Sequence, residues 1–172
     1  MAAANLSVLV GKNCACIKIT GRANFASSPD FKTLLDQLAQ KGFRHFMIDL
    51  TECVLMDSTF LGVLAGFGMK LNPNGAPSER GIELLNATTR VSELLENLGA
   101  VHLFNLSAGP LRLPEDAKAC VSDSINPSHE QITRTSLEAH QTLMAMNPEN
   151  VARFKDVAQF LAEDLKNVEK SS

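Results

Sequence analysis

Apolar and polar residues follow two different periods along this chain. Short apolar runs typical of strands occur at five places, residues 6–10, 15–20, 43–50, 82–85 and 101–106. Apolar residues recur instead every three or four positions, as on one face of a helix, at residues 31–38, 61–65 and 91–98. Because strands alternate with helices, the pattern predicts an α/β domain with crossover connections.

The stretch from residue 47 to residue 68 joins a strand to a helix through a short turn. The apolar run before Asp49 predicts a buried strand with an acid near its C-terminal end. Asp57 or Ser58 stands where the N-cap of the next helix belongs. Ser58 is therefore expected at a helix N-terminus, where free N–H groups and the helix dipole stabilise an anion, including a phosphate on the serine itself.

Beyond Gly109 the composition changes. Residues 110–127 are rich in Pro, Asp, Ser and Ala and predict a linker, with a single helical turn at residues 115–120. Ser128 and Gln131 form a candidate capping box, and Asn147-Pro148-Glu149 is a strong signal for a second helix. We therefore predict three parts: a domain at 1–109, a linker at 110–127 and a helical extension at 128–172.

The last helix carries one apolar stripe on a charged cylinder, so it requires a surface to pack on. That surface is either the chain's own α/β domain or a second copy of the chain, which makes a homodimer one of the predicted assemblies. A membrane surface is the least favoured option, because the polar face mixes both signs of charge.

Composition narrows the range of partners. The net charge is −3 and the chain has no Trp or Tyr, which argues against nucleic-acid binding. The four cysteines lack the spacing of a metal site, so we predict structural thiols, no metal and no cofactor. The N-terminus has no signal-peptide pattern, and no apolar run approaches the ~20 residues that span a bilayer. We expect a cytoplasmic protein with no membrane partner.

The sequence does not predict an enzyme. Asp49 and Asp57 could be interpreted as paired carboxylates, but loop hydrogen bonding and helix capping explain them better. The four histidines are scattered, and none lies in a recognisable motif with a serine or cysteine. Gly62 and Gly66 lie inside the predicted helix, so close helix packing explains them better than phosphate binding.

Three stretches together carry a family resemblance: Ile19-Thr20-Gly21-Arg22, Met47-Ile48-Asp49-Leu50 and Leu55-Met56-Asp57-Ser58-Thr59-Phe60-Leu61-Gly62-Val63-Leu64. With the order of elements, they resemble the STAS family, the domain shared by anti-sigma-factor antagonists and sulfate-transporter tails. The resemblance covers roughly residues 6 to 108. It implies an α/β STAS-like domain with a mixed central sheet and helices packed on it, followed here by a C-terminal helical extension.

The resemblance also implies a regulatory role. The matching serine or threonine of the family is phosphorylated by a partner kinase that also acts as an anti-sigma factor, so Ser58 is the candidate acceptor and Thr59 its alternative. The candidate partner-binding residues are Asn24, Asp49, Asp57, Ser58, Thr59 and Phe60. Position 60 is often small or Gly in the family, and the family often has an acid just after the first Gly, where this chain has Arg22, Ala23 and Asn24.

The expected function is thus a non-enzymatic protein that binds a partner, an anti-sigma serine kinase in the family pattern, through the surface around Ser58. One alternative is a sensor domain that holds a nucleotide or small anion at the N-terminus of the Ser58 helix. Another is an interaction domain whose contacts are made by the C-terminal helices. A basic rim around Ser58 would favour the anion, and a flat apolar rim would favour a docked protein.

Overall fold

The computed structural model describes residues 4–73, 81–113, 115–120 and 124–171. The strands within these residues are β1 (Asn5–Val10), β2 (Cys14–Ala23), β3 (His45–Asp49), β4 (Cys53–Met56), β5 (Ile82–Leu85), β6 (Asn105–Ser107) and β7 (Lys118–Cys120). The helices are α1 (Ser28–Gln40), α2 (Ser58–Leu71), α3 (Thr89–Asn97), α4 (His129–Met146) and α5 (Glu149–Ser171), with a 3₁₀ turn at Val101–Leu103.

The strands form one mixed sheet in the order β6-β5-β3-β2-β1-β7, and β4 pairs with the end of β2. The pairs β2–β3, β3–β5 and β5–β6 are parallel, whereas β1 is antiparallel to both β2 and β7. The predicted fold class, a mixed sheet with packed helices and a C-terminal helical extension, is confirmed.

Capping signals begin the helices where the sequence predicts. The Thr88 hydroxyl accepts the N–H of Val91 at the start of α3. Ser128 and Gln131 form both hydrogen bonds of a capping box at the start of α4. Because each cap satisfies backbone N–H groups that the helix leaves open, these short motifs fix helix starts independently of tertiary contacts.

Two local predictions are wrong. Residues 101–106 do not form one strand: a 3₁₀ turn comes first and inserts Leu103 into the core, and β6 begins only at Asn105. The segment predicted as a linker contains β7 in place of the expected helical turn, since Lys118–Cys120 pairs with the edge of β1. Strand pairing across a sheet edge leaves no local pattern in the sequence. Residues 114 and 121–123 of this segment lie outside the described residues.

Aromatic pairs pack the interior around α2. Phe60 stacks on Phe31 of α1 with ring centroids 4.3 Å apart, and Phe67 meets Phe46 of β3 edge to face at 4.9 Å. All four rings are buried, so α2 is fixed between α1 and the sheet by large apolar side chains. This packing holds the first turn of α2, with Ser58, at a defined place on the domain.

Candidate functional site

The turn before α2 is held by the side chain of Asp57. Its carboxylate accepts the N–H of Phe60 at 2.9 Å, as an N-cap, and the N–H of Phe25 at 2.7 Å. Its own N–H donates to the carbonyl of Ala23. One residue therefore joins the end of β2 to the start of α2, which confirms the predicted capping position.

Burial governs the ionisation of Asp57. Partial burial raises the pKa of its carboxyl above the ordinary value, while the N–H groups of Phe60 and Phe25 and the nearby His140 act in the opposite direction. Because the folded-state pKa is raised, the cost of burying this carboxylate is present above that pKa and disappears as the pH falls through it. Both oxygens of this side chain accept backbone N–H groups, as an ionised carboxylate does, and the carboxylate is next to Ser58 in the chain.

Ser58 is hydrogen-bonded to a histidine of the C-terminal extension. Its Oγ lies 3.0 Å from Nε2 of His140 in α4. The other ring nitrogen, Nδ1, lies 2.7 Å from the carbonyl oxygen of Ser136, which can only accept. Nδ1 therefore carries the proton, and in the neutral ring Nε2 accepts the Ser58 O–H. The ring is 5% exposed and packs against Phe154 of α5.

The sequence has no recognisable motif that joins a histidine to a serine, and this contact arises only in the fold. His140 lies 82 positions from Ser58, and a fold contact alone joins them. A hydroxyl and an imidazole together can in principle activate a nucleophile. Here the group that orients the imidazole is a backbone carbonyl, and the ring is enclosed by α4 and Phe154, so a substrate has no direct approach to it.

The other predicted site residues lie deeper. Asn24 is buried, and its side-chain oxygen accepts the N–H of Ala26 in the loop after β2. Thr59 is buried as well. Phe60 has no exposed surface and lies in the core, which contradicts its predicted place on a docking surface. The bulky side chain at this position fills the interior beside Phe31.

Asp49 belongs to a separate polar network at the end of β3. It is buried and accepts hydrogen bonds from the N–H and the hydroxyl of Thr51. The Asn86 amide donates to the Thr51 hydroxyl and exchanges two further hydrogen bonds with the backbone of Gly109. The structure thus brings Asp57 and Ser58 together with His140, and places Asp49 in the network that ties the ends of β3 and β5 to the chain after β6.

Helix α4 lies close against α2 just beyond Ser58. A Cβ atom added to Gly62 would lie 2.6 Å from the carbonyl oxygen of Ala139 and 2.7 Å from its Cβ. At Gly66 an added Cβ would meet Thr142 at 3.6 Å, an ordinary contact. Close helix packing, the predicted reason for these two glycines, is confirmed at Gly62, whereas Gly66 has room for a methyl group. Lys32 of α1 and Glu138 of α4 add a surface ion pair at 2.6 Å.

Two exposed apolar side chains flank the turn and were missed by the sequence interpretation. Phe25, whose N–H is bound by Asp57, and Val54 of β4 are among the large apolar residues that remain exposed. Phe25 comes two residues after the end of β2, and Val54 lies within β4, which pairs with β2 up to Ala23. The exposed residues of this segment thus include the apolar Phe25 and Val54 and also Arg22 of β2.

Among the described residues, no group of three or more His, Cys, Asp or Glu side chains is placed to hold a metal ion. No helix in the same part of the chain has both the length and the apolar character needed to cross a bilayer.

Comparisons with known proteins match the α/β part of the chain. The family model for the STAS domain matches residues 5–111. The anti-sigma-B factor antagonist of Staphylococcus aureus (strain NCTC 8325 / PS 47) is 27% identical over 93 residues, which cover 54% of this chain and 82% of that protein. A solved anti-sigma factor antagonist from Mycobacterium paratuberculosis has a TM-score of 0.52 at 16% identity, covering 61% of this chain and 86% of that one. The last two helices lie beyond the matched range.

Proposed function

The chain belongs to the STAS family, and from that premise we propose that it is a non-enzymatic regulatory protein of the anti-sigma-factor-antagonist type. It binds a protein partner, an anti-sigma serine kinase, through the surface around Ser58. Phosphorylation of Ser58 switches this binding off. The observation that supports the proposal best is the Ser58 hydroxyl at the start of α2, in a turn fixed by Asp57 and flanked by exposed Phe25 and Val54.

Ser58 is the better acceptor of the two hydroxyl groups. Its side chain is half-buried and points toward α4, whereas Thr59 is buried within the domain. In the proposed transfer the Ser58 oxygen forms a bond to the γ-phosphorus of ATP, the bond from that phosphorus to the β–γ bridging oxygen breaks, and ADP leaves. The hydroxyl proton passes to a base of the kinase.

The added charge explains how the switch would work. A phosphate carries about −1.5 to −2 charges at neutral pH. It would stand beside the Asp57 carboxylate and at the edge of the apolar rim formed by Phe25 and Val54. A partner that docks on this rim would have to bury both negative groups, so its affinity falls when Ser58 is phosphorylated.

The alternative, a sensor that holds a nucleotide or small anion at the start of α2, has less support. The Asp57 carboxylate already accepts the Phe60 N–H, one of the groups that would bind an anion there. Its negative charge also repels a second anion at the same helix end. The exposed apolar side chains of Phe25 and Val54 favour a docked protein at this surface.

Capture from a lysate of native cells tests the proposal. The immobilised wild-type chain should retain a partner protein that Ser58→Glu loses, because the substitution places a negative charge on the docking surface. Ser7→Glu is the matched control, since Ser7 is exposed on β1, away from this turn, and should retain the same protein. A partner held equally by wild type and Ser58→Glu would argue against docking at this surface.

A further inference from the structure

The C-terminal helical hairpin, formed by α4 and α5, lies on the surface that the proposed partner requires. It is outside the range matched by the family model, which ends at residue 111. Its contacts with the domain centre on α2, the helix that begins with Ser58. The hairpin therefore competes with any protein that docks at the start of this helix.

Ser58 and His140 form the contact at the centre of this surface. The 3.0 Å between Ser58 Oγ and His140 Nε2 leaves no room for a phosphorus atom and its oxygens between them. Phe154 of α5 packs against the same imidazole, with ring centroids 4.9 Å apart. A kinase consequently cannot transfer a phosphoryl group to Ser58 while α4 is packed against α2.

The packing of α4 against α2 depends on a glycine. Backbone and Cβ atoms of Ala139 approach Gly62 so closely that the smallest side chain at position 62 would collide with them. Four residues further along α2, Gly66 leaves space for a methyl group against Thr142. One position of α2 therefore requires glycine for the hairpin to close, and its neighbour one turn away does not.

The interface is suited to opening. The buried side chains of α4 are partly polar, with Thr135, Ser136 and His140 beside Ala139, while Leu143 joins the hydrophobic core. The polar groups can be hydrated when the helix lifts. The hairpin follows the sheet in the chain, with all seven described strands before it. Lifting it would leave their pairing unbroken. Segments with partly polar interfaces open at lower free energy than a core.

We infer that the α4–α5 hairpin is an intramolecular cap that excludes the protein partner from Ser58 until it lifts. This inference rests on the proposed function, since it names the regulation of the same surface. Once Ser58 is phosphorylated, the phosphate occupies the space of the His140 contact, and the hairpin cannot close again.

The test measures access to position 58 in the full chain without a kinase or ATP. Ser58→Cys provides a thiol, and a PEG-linked maleimide is the probe, with modification followed peptide by peptide. The thiol is compared in three backgrounds: wild type, Gly62→Ala and the matched control Gly66→Ala. Cys16 and Cys53 monitor folding in the same samples, because both are buried and burial raises the pKa of the Cys16 thiol to about 11 and that of Cys53 above its usual value.

If the hairpin caps position 58, the introduced thiol should react about tenfold faster in the Gly62→Ala background than in the other two. The reason is that the rate of modification is proportional to the fraction of molecules in which the hairpin is open. Cys16 and Cys53 should stay unmodified throughout. Equal rates in the three backgrounds, whether fast or slow, would overturn the inference. If Gly62→Ala exposes Cys16 as well, His140→Ala replaces it as the opening variant, with the same criterion.

The two proposals fail in different ways. Equal maleimide rates would remove the cap and leave the partner-capture result unaffected. Conversely, a partner that ignores Ser58→Glu would remove the proposed switch, whereas the difference between Gly62→Ala and Gly66→Ala would still show that the hairpin covers position 58.

Discussion

Phe60→Ala should lower the free energy of unfolding by about 3–5 kcal/mol, the usual range for truncating a fully buried phenylalanine. Phe60 has no exposed surface, and its ring stacks on Phe31 at 4.3 Å. The truncation leaves a cavity between α1 and α2 and removes the contact that orients the first turn of α2. A residue that served only to dock a partner would give a much smaller loss of stability.

Urea denaturation followed by far-UV circular dichroism measures this difference. Phe160→Ala is the matched control, because this phenylalanine of α5 is 68% exposed and its truncation should change stability by no more than about 0.5 kcal/mol. Similar midpoints for the two variants would contradict the placement of Phe60 in the core.

Asn150→Asp should release the helical hairpin, although it replaces a single NH₂ group by oxygen. Asn150 is fully buried, and its Nδ2 donates to the carbonyls of Leu98 and Leu143 at 3.0 and 2.8 Å. These bonds tie the start of α5 to the end of α3 and to the end of α4. A carboxylate at this position would face two carbonyl oxygens in a buried place, at a cost of about 3–5 kcal/mol.

Hydrogen exchange of the α4 and α5 amides follows this release. We expect exchange about a hundredfold faster or more, because each 1.4 kcal/mol changes an equilibrium tenfold. Asn167→Asp is the matched control, since Asn167 lies on the exposed side of α5 and should leave exchange unchanged. If both substitutions gave wild-type exchange, Asn150 would not anchor the hairpin.

Much of the fold is predictable because its signals are local. Pro29 in the first turn of α1, the Thr88 cap and the Ser128–Gln131 capping box each satisfy or spare backbone N–H groups within a few residues. Apolar periodicity supplies the buried faces of the same helices. Local periodicity does not indicate which distant strands pair with each other. The pairing of β7 with the edge of β1 was therefore not predicted.

The candidate site also has a part with local sequence signals and a part that depends on distant contacts. Asp57 and Ser58 are adjacent in sequence where a helix begins, so the cap and the place of the hydroxyl at the helix start follow from the pattern. His140 is 82 residues away, and its role depends on how α4 crosses α2. One signal was present: His140 shares a helical face with Ser136 and Leu143, which places it on the buried side of α4. The family pattern gives the place of Phe60 in the sequence relative to Ser58 but not the packing of its side chain. The prediction therefore put Phe60 on a docking surface instead of in the core.

The most direct measurement of the central claim is the mass of the full chain after incubation with native-cell lysate and ATP. We predict the gain of one phosphate, mapped to Ser58, faster in Gly62→Ala than in Gly66→Ala, retained in Thr59→Val and absent from Ser58→Ala. A phosphate that persists in Ser58→Ala, or none on either wild type or Gly62→Ala, would contradict the assignment of Ser58 as the switch.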